Sequence, residues 1–357
     1  MKVALVTGPC PPGECGVGDY TNCLAKALQA ANVDARVIRS GDWSLLGAFA
    51  MSKSLREQKF DVVHIEHPTV GFGKQLGAQG LSLLRRCVIT IHEFSQWHIR
   101  RRLTLIPFAI RPEYTIFTNR FERQLATNWA PWIGRASSII PVGSNIRPAA
   151  QKTPRALEEI VYFGLIIPRK ELQQVLELGT LVKTAGLPLT IRVIGRVPLK
   201  HISYFEELKL KAQGLPITWD RDLDEEQTAK RLAGASIAYL PYTDGASDRR
   251  TTLKAALLSG LAVVTTRGPY TPDELQMAVR FCQNPREALA IVRSLVENPE
   301  EISKMAAKAV NYGQQYSWER IARLHLEVYE SVLSRRRSGI KNQGLSASNV
   351  SKSPLLP

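Results

Sequence analysis

The stretch "SIAYLPYTDGASDRRTTLKAALLSGLAVVTT", residues 236–266, decides the architecture. Its two flanks, "SIAYLPY" and "LAVVTT", are unbroken apolar runs rather than alternating ones, as expected of strands covered on both faces. Between them, Leu253, Ala256, Leu257 and the closing Gly260 read as a short buried helix. Strand, loop, helix and strand in this order make a βαβ unit, and therefore a parallel sheet. The same stretch poses an electrostatic problem. Arg249 and Arg250 are expected in the first turn of that helix, where unpaired N–H groups and the macrodipole disfavour a cation by a few tenths to ~1 kcal/mol. A bound anion would reverse the sign.

Working outward, continuous apolar runs, mostly of four to six residues, recur along the chain. "KVALVT", "ARVIR", "DVVHIEH", "CVITIHE", "YTIFTN" and "SSIIPVG" precede residue 150, with helix-period segments such as "YTNCLAKALQAA" and "LLGAFAMSKSLREQ" between them. "NIRPAAQKTPRALEE" then breaks the pattern with two prolines and no apolar period, as a linker does. The repeat restarts with "IVYFG", "LTIRVIG", "ITW", "SIAYLPY", "LAVVTT" and "AVRFC". Two doubly wound α/β domains in tandem are expected: residues 1–148 and 158–316, joined by a linker at 149–157. A closing helix, "SWERIARLHLEVYESVL", spans 317–333, and a polar basic tail expected to be disordered occupies 334–357.

At 357 residues and 44% hydrophobic, the chain can bury two cores. No apolar run approaches the ~20 residues that span a bilayer, and "MKVALVT" lacks the features of a cleavable leader, so a cytoplasmic protein is expected. Five sparse cysteines (Cys10, Cys15, Cys23, Cys87, Cys282) indicate reduced thiols, not a disulfide framework. His64 and His67 in "HIEH" have no third ligand in reach by sequence, so a metal site is not expected. The net charge of +15 calls for anionic partners. Residues 1–148 carry 18 Lys or Arg against 10 Asp or Glu, concentrated in "LLRRC" and "HIRRRL". A solvated basic face and a docking patch for an anionic membrane or acidic acceptor both fit that pattern. Specific nucleic-acid binding is not expected, because neither an aromatic-interleaved basic motif nor a helix-turn-helix signature is present.

In open parallel sheets, ligands bind beyond the carboxyl ends of the strands, where loops feed helix N-termini. After the first strand, "GPCPPGECGVGDYTNCL" is a Gly- and Pro-rich loop in which Gly16 and Gly18 allow close backbone approach, with Asp19 and Thr21 near the first turn of the helix. It matches neither the phosphate-loop nor the dinucleotide fingerprint. After "CVITI" comes His92, placed to hydrogen-bond or transfer a proton. In the second half, Gly164 ends a strand and Arg169 and Lys170 open the following helix, Arg196 follows Gly195, and Arg249 and Arg250 precede Thr251 and Thr252. Cations at three equivalent strand ends, where helix dipoles also favour an anion, suggest a diphosphate.

Over residues 1–333 the sequence resembles retaining glycosyltransferases of the GT-B fold, family 4 type. The resemblance rests on "PPGECGVGDYT", "IHEF", "IPVGSN", "FGLIIPRKE", "YLPYTDGAS", "LKAALLSGLAVVTT" and "YSWERIA", in that order. It implies two Rossmann-like domains facing a cleft, the first binding an acceptor through the loop of Gly16, Gly18 and Asp19. The second would bind a nucleotide-diphosphate sugar through Gly164, Arg169, Lys170, Gly195, Ser247, Arg249, Arg250, Thr251, Thr252 and Lys254. It implies a final helix returning to the first domain, no cofactor and no metal, and a glycan, lipid-linked or small-molecule acceptor. His92 would hold the transferred sugar and Asp244 would stand near the sugar or the phosphates, both as catalytic candidates. Three departures stand out: Lys254 replaces the second Glu of the family's Glu-x7-Glu pattern, whose first Glu falls near Ala246. Leu165 replaces an arginine, and Glu171 the glycine after the lysine. They leave open a catalytically impaired sugar-nucleotide-binding protein, and the same fold also hosts sugar-nucleotide 2-epimerases.

Overall fold

A computed structural model of the chain describes residues 1–9, 15–95, 102–110, 112–150 and 154–339. They form two compact units: Met1–Val142 together with the chain from Trp318 onward, and Gly143–Ser317. The first unit therefore ends six residues before the expected boundary. Strand formation also begins inside the expected linker, at Ala156.

The first unit contains β1 (Lys2–Val6), α1 (Gly16–Ala30), β2 (Asp34–Ile38), α2 (Leu45–Glu57), β3 (Val62–His67), α3 (Gly77–Leu84), β4 (Val88–Ile91), α4 (Ile106–Ile110), β5 (Tyr114–Phe117), α5 (Arg120–Trp129) and β6 (Ser137–Ile139). Its six strands are parallel in the order β2-β1-β3-β4-β5-β6. The second unit contains β7 (Ala156–Phe163), α6 (Leu172–Thr184), β8 (Thr190–Gly195), α7 (Ile202–Lys211), β9 (Ile217–Arg221), α8 (Glu225–Gly234), β10 (Ala235–Leu240), α9 (Thr251–Leu258), β11 (Ala262–Thr265), β12 (Val279–Phe281), α10 (Pro285–Glu297) and α11 (Pro299–Gly313). Its parallel order is β12-β11-β10-β7-β8-β9. The last helix, α12 (Trp318–Arg337), belongs to the first unit and continues four residues into the stretch expected to be disordered tail.

The burial pattern explains why the continuous apolar runs became strands. Every residue of β3, β4, β5, β10 and β11 is buried, because helices cover both sheet faces. In the first unit, one core layer gathers Trp43, Phe72, Phe94 and Phe117, and the other is closed by Trp318, Ile321, Val328 and Tyr329 of α12. In the second unit, the two layers centre on Val193 and Tyr239 and on Leu240 and Leu257.

Strand order reverses direction at one point in each sheet, between β1 and β3 and between β7 and β10. Loops leaving neighbouring strands diverge there and leave a crevice. Cys15, Cys87 and Cys282 are buried thiols and Cys23 is partly buried; none of the four is in a disulfide. Burial pushes the Cys87 and Cys282 thiols up to about 12, so both are inert. Cys10 lies outside the described residues. Among the described residues, no helix is long and apolar enough to cross a membrane.

Candidate functional site

In the second unit, the loops at the β7/β10 switch point carry the cations. Arg249 and Arg250 lie just before α9 rather than within its first turn, with Arg250 as the N-cap. An arginine cannot accept a hydrogen bond, so Arg250 itself caps none of the first-turn N–H groups, and the Tyr242 hydroxyl accepts from that of Leu253. At the other end of the helix, Arg155 donates to the carbonyl oxygens of Gly260 and Ser259. One end of α9 thus carries a cation of the favourable sign and the other carries one of the unfavourable sign.

Arg250 turns inward. Its guanidinium lies 4.8 Å from the centre of the Tyr242 ring and pairs with Asp244. The Tyr242 hydroxyl is 2.9 Å from Thr252 Oγ1, which ties the loop to the helix start. The loop folds back sharply at Gly245, whose φ of +82° suits only glycine. A Cβ there would also meet the backbone nitrogen of Gly268 at 2.2 Å. Ser247 is buried, Arg249 is exposed, and Thr251 and Thr252 are half-buried.

From the adjacent strand end, Lys170 reaches the same place. Burial lowers its pKa and the nearby Arg250 lowers it further. Burial also lowers the pKa of Arg250, against an opposing contribution from Tyr242 and Tyr162. Lys170 has no carboxylate partner among the described residues. Two half-buried cations therefore stand together, Arg250 paired with Asp244 and Lys170 followed in the chain by Glu171. The Lys170 carbonyl accepts a 2.8 Å hydrogen bond from Tyr162, fixing the loop. Glu171 follows at φ +52°, a conformation that favours the glycine of the related pattern. It is held there by hydrogen bonds from Thr243 Oγ1 at 2.6 Å and Gln174 Nε2 at 2.8 Å. Gly164 and Gly195 let β7 and β8 end in close approach, since a Cβ on Gly195 would meet the Gly164 carbonyl oxygen at 2.1 Å. Arg169 and Arg196 are exposed at these ends, and Arg169 and Lys170 lie in the loop before α6 instead of inside it.

Lys254 departs from the group. It is 1% exposed, with Nζ 4.8 Å from the centre of the Tyr316 ring. Burial lowers its pKa to about 8, opposed by Asp248, whose carboxylate accepts a 2.6 Å hydrogen bond from Tyr316. Where the resembling pattern has a glutamate, the chain has a buried lysine beside Tyr316 and Asp248.

In the first unit, the loops after β1 and β3 meet at the switch point. The Gly8 N–H donates to Thr69 Oγ1 at 3.0 Å, and the Val70 N–H to Cys15 Sγ at 3.4 Å. Gly16 is exposed, Gly18 buried and Asp19 half-buried at the start of α1. Cys10 to Glu14 of the glycine loop lie outside the described residues. His92 follows β4, and its Nε2–H donates to Glu66 Oε2 at 2.8 Å. The imidazole retains 6% exposure, while Glu66 is fully buried. His92 Nδ1 makes no hydrogen bond among the described residues.

Glu66 sits in a nest of aromatic and imidazole groups. His64 bonds Thr90 Oγ1 and the Tyr329 hydroxyl, each at 2.7 Å. His325 donates from Nδ1 to the Ile321 carbonyl at 2.8 Å, so its Nε2 accepts from the Tyr20 hydroxyl at 3.4 Å. Burial would raise the pKa of Glu66, but His64, the His92 hydrogen bond and His325 outweigh it and the net shift is downward. Burial lowers the pKa of His64, and that of His325 to about 4, so both stay neutral and Glu66 stays ionised. Donor atoms of His64, Glu66 and His325 lie within 4.8 Å of one another. His67 of the pair read in "HIEH" is not in this set; His64 is joined by Glu66 of its own strand and by His325 of α12, 261 positions after His64. Both ring nitrogens of His64 are already hydrogen-bonded, which accounts for the set as a hydrogen-bond network. Sequence reasoning missed Tyr242, Glu66 and His325; the only local signal was the apolar-strand position of "HIEH" and "YLPY", which marks burial and not partners.

No family model matches the chain, and no curated protein matches it. Solved structures do. A glycosyltransferase from Rickettsia africae is similar at TM-score 0.70 and 13% identity, over 93% of this chain and 99% of that one. Anabaena HepE in complex with UDP is similar at TM-score 0.67 and 15% identity, over 93% and 100%, and a second HepE structure contains UDP and glucose. Sucrose-phosphate synthase from Thermosynechococcus elongatus is similar at TM-score 0.66 and 14% identity, over 94% and 99%. The two parallel six-stranded sheets with flanking helices are the GT-B, Rossmann-like fold of these glycosyltransferases.

Proposed function

We propose that the chain is a retaining glycosyltransferase that moves a sugar from a nucleotide-diphosphate donor to an acceptor hydroxyl in polysaccharide or glycoconjugate synthesis. The observation that carries this reading is the pair Lys170 and Arg250. Two half-buried cations at a sheet switch point, before a helix start whose N-cap residue offers no acceptor, are relieved by a doubly charged pyrophosphate. Arg169, Arg196, Arg249 and the hydroxyls of Thr251 and Thr252 add donors around it. These groups would neutralise charge developing on the departing diphosphate, an electrostatic contribution that is often the largest in such reactions. The bond from the anomeric carbon to the diphosphate oxygen breaks, and the bond to the acceptor oxygen forms. The acceptor proton passes to the leaving phosphate. Asp244 orients Arg250, and His92, fixed by Glu66, holds the sugar. In this reading cationic side chains and peptide dipoles fill the role that a divalent metal plays in other sugar-transfer sites.

The UDP and glucose seen in HepE make UDP-sugars the first donors to try. A thermal-shift screen of UDP- and GDP-sugars, followed by nucleotide-release assays with membrane extract as acceptor, tests the proposal. One donor is expected to raise the melting temperature by mass action and to be turned over. Absence of nucleotide release with every donor would remove the reading. Calorimetric binding without turnover would instead point to the impaired binding protein, favoured by the burial of Lys254 where the family has a glutamate. The basic first unit supports a cytoplasmic protein in peripheral contact with an anionic membrane, from which a lipid-linked acceptor could be drawn.

A further inference from the structure

The first unit exposes large apolar side chains in an arrangement that a solvated basic face does not explain. On α2, Leu46 is 80% exposed and Phe49 60% exposed, and the neighbouring Leu45 packs over Gly80 of α3. Leu83 and Leu84 are exposed at the end of α3, α3 packs on α4, and Ile110 at the end of α4 is 63% exposed. Trp132, 54% exposed, donates its indole N–H to the Ala109 carbonyl at 2.9 Å and so adjoins the same helix. Singly exposed apolar residues are ordinary; a run across three packed helices marks a contact surface.

The charges bordering the run select the occupant. Lys53 and Arg56 continue the outer stripe of α2 beyond Leu46 and Phe49, and Arg85 and Arg86 follow directly on Leu83 and Leu84. Arg56 and Arg85 stand close enough to repel each other. The acidic groups on these elements are Asp42, before α2, and Glu57, which lies 4.0 Å from Lys53 with both side chains in solvent. A second copy of the chain would bring like charges against like. A bilayer with anionic headgroups offers acyl chains to the leucines and phenylalanine, an interfacial zone to the tryptophan, and phosphates to the lysine and arginines.

We infer that the outer face of α2, α3 and α4 is a docking surface for an anionic lipid bilayer, with Leu46 and Phe49 entering the headgroup boundary and Lys53, Arg56 and Arg86 contacting phosphates. The inference builds on the membrane contact proposed above and names the surface that makes it. The test is co-sedimentation of the full chain with vesicles of phosphatidylcholine, alone or mixed equally with phosphatidylglycerol, at about 0.1 M salt. The parent protein is expected to pellet with the anionic vesicles only. The double variant Leu46→Glu/Phe49→Glu should bind them at least roughly tenfold more weakly, and Lys53→Glu/Arg86→Glu several-fold more weakly. Both variants change exposed side chains and should keep the parent's circular dichroism and melting curve. Parent and variants pelleting alike would overturn the assignment of this face while leaving membrane contact standing. Failure of the parent to pellet with anionic vesicles would remove both. Dissociation of a parent dimer by Leu46→Glu/Phe49→Glu in velocity sedimentation would give the face to a second copy and overturn the inference.

Discussion

The two switch points of this protein handle buried charge in opposite ways. Around Glu66, the first unit surrounds one carboxylate with His64, His92 and His325, and the hydroxyls of Tyr20, Tyr329 and Thr90 take up ring nitrogens. Around Lys170, the second unit brings two half-buried cations together, of which Arg250 is paired with a carboxylate, and places an arginine at the start of α9. The first arrangement draws its partners from the protein itself, although Glu66 Oε1 is buried without a hydrogen-bond partner among the described residues, and its hydrogen bonds should contribute to stability. The second leaves Lys170 without a carboxylate partner among the described residues, and the proposed diphosphate would supply the balancing charge. A structural ionic cluster and a binding site can contain similar residues; the sum of charge and hydrogen-bond partners separates them.

Four substitutions put that contrast at risk, and the largest effect belongs to the closed network. Glu66→Gln removes the carboxylate that three imidazoles face and should cost about 3 kcal/mol or more, read as an earlier urea midpoint. Nucleotide affinity of the same variant should not change, because the donor groups belong to the other unit. If the urea midpoint stays put, the network is not the stabilising element described here.

Acid should open the network next. His325 is held near 4 by burial, with His64 and His92 adding to the shift and Glu66 and the Ile321 carbonyl opposing it. Tyr20 and Tyr329 pack around the same groups and stay neutral. Between the ordinary histidine value of ~6.5 and about 4, the unfolded chain binds a proton that the folded chain refuses. Stability is therefore present above that window and falls as pH drops through it, by up to about 3 kcal/mol for this one group. Glu66, whose pKa is also lowered, loses its contribution in the same direction at lower pH. His325→Gln should flatten the melting temperature between pH 6.5 and 4, and an equally steep curve would assign the acid response elsewhere.

Substitution in the open site should reverse the pattern. Arg250→Ala is expected to weaken UDP binding by ~2 kcal/mol, roughly thirtyfold in Kd, by calorimetry. Its melting temperature should hold or rise slightly, since the repulsion from Lys170 is relieved. Unchanged affinity would return Arg250 to a purely structural pairing with Asp244. The smallest change is expected at Glu171. Glycine there removes the strain of φ +52° but also two hydrogen bonds, so Glu171→Gly should shift stability by less than about 1 kcal/mol.

Much of the architecture was legible residue by residue. The twelve apolar runs correspond to the twelve strands; interior strands are apolar along their whole length because both faces are covered, whereas the edge strands β2 and β9 stay partly exposed. Cations at the ends of β7, β8 and β10 were visible as well, and the sheet order makes those three strands neighbours. Boundaries fared less well: Ala156 and Leu157 extend β7 into the expected linker, and Arg335 to Arg337 prolong α12 into the expected tail. Register with a neighbouring strand and packing of the preceding turns extended these elements, and neither leaves a local trace in composition.

What the sequence determined by itself is the alternation of strands and helices, the doubling into two α/β units, and the clustering of positive charge at equivalent strand ends. Those features depend on local periodicity and on which residue follows which. Only the tertiary structure decided which charges are answered. The bond between His64 and Tyr329 joins positions 265 apart, and Arg250 finds Tyr242 and Asp244 while Lys254, four residues on, turns inward to Tyr316 and Asp248. Electrostatic balance depends on distance in space and on exclusion of water, and neither is a property of neighbours along the chain.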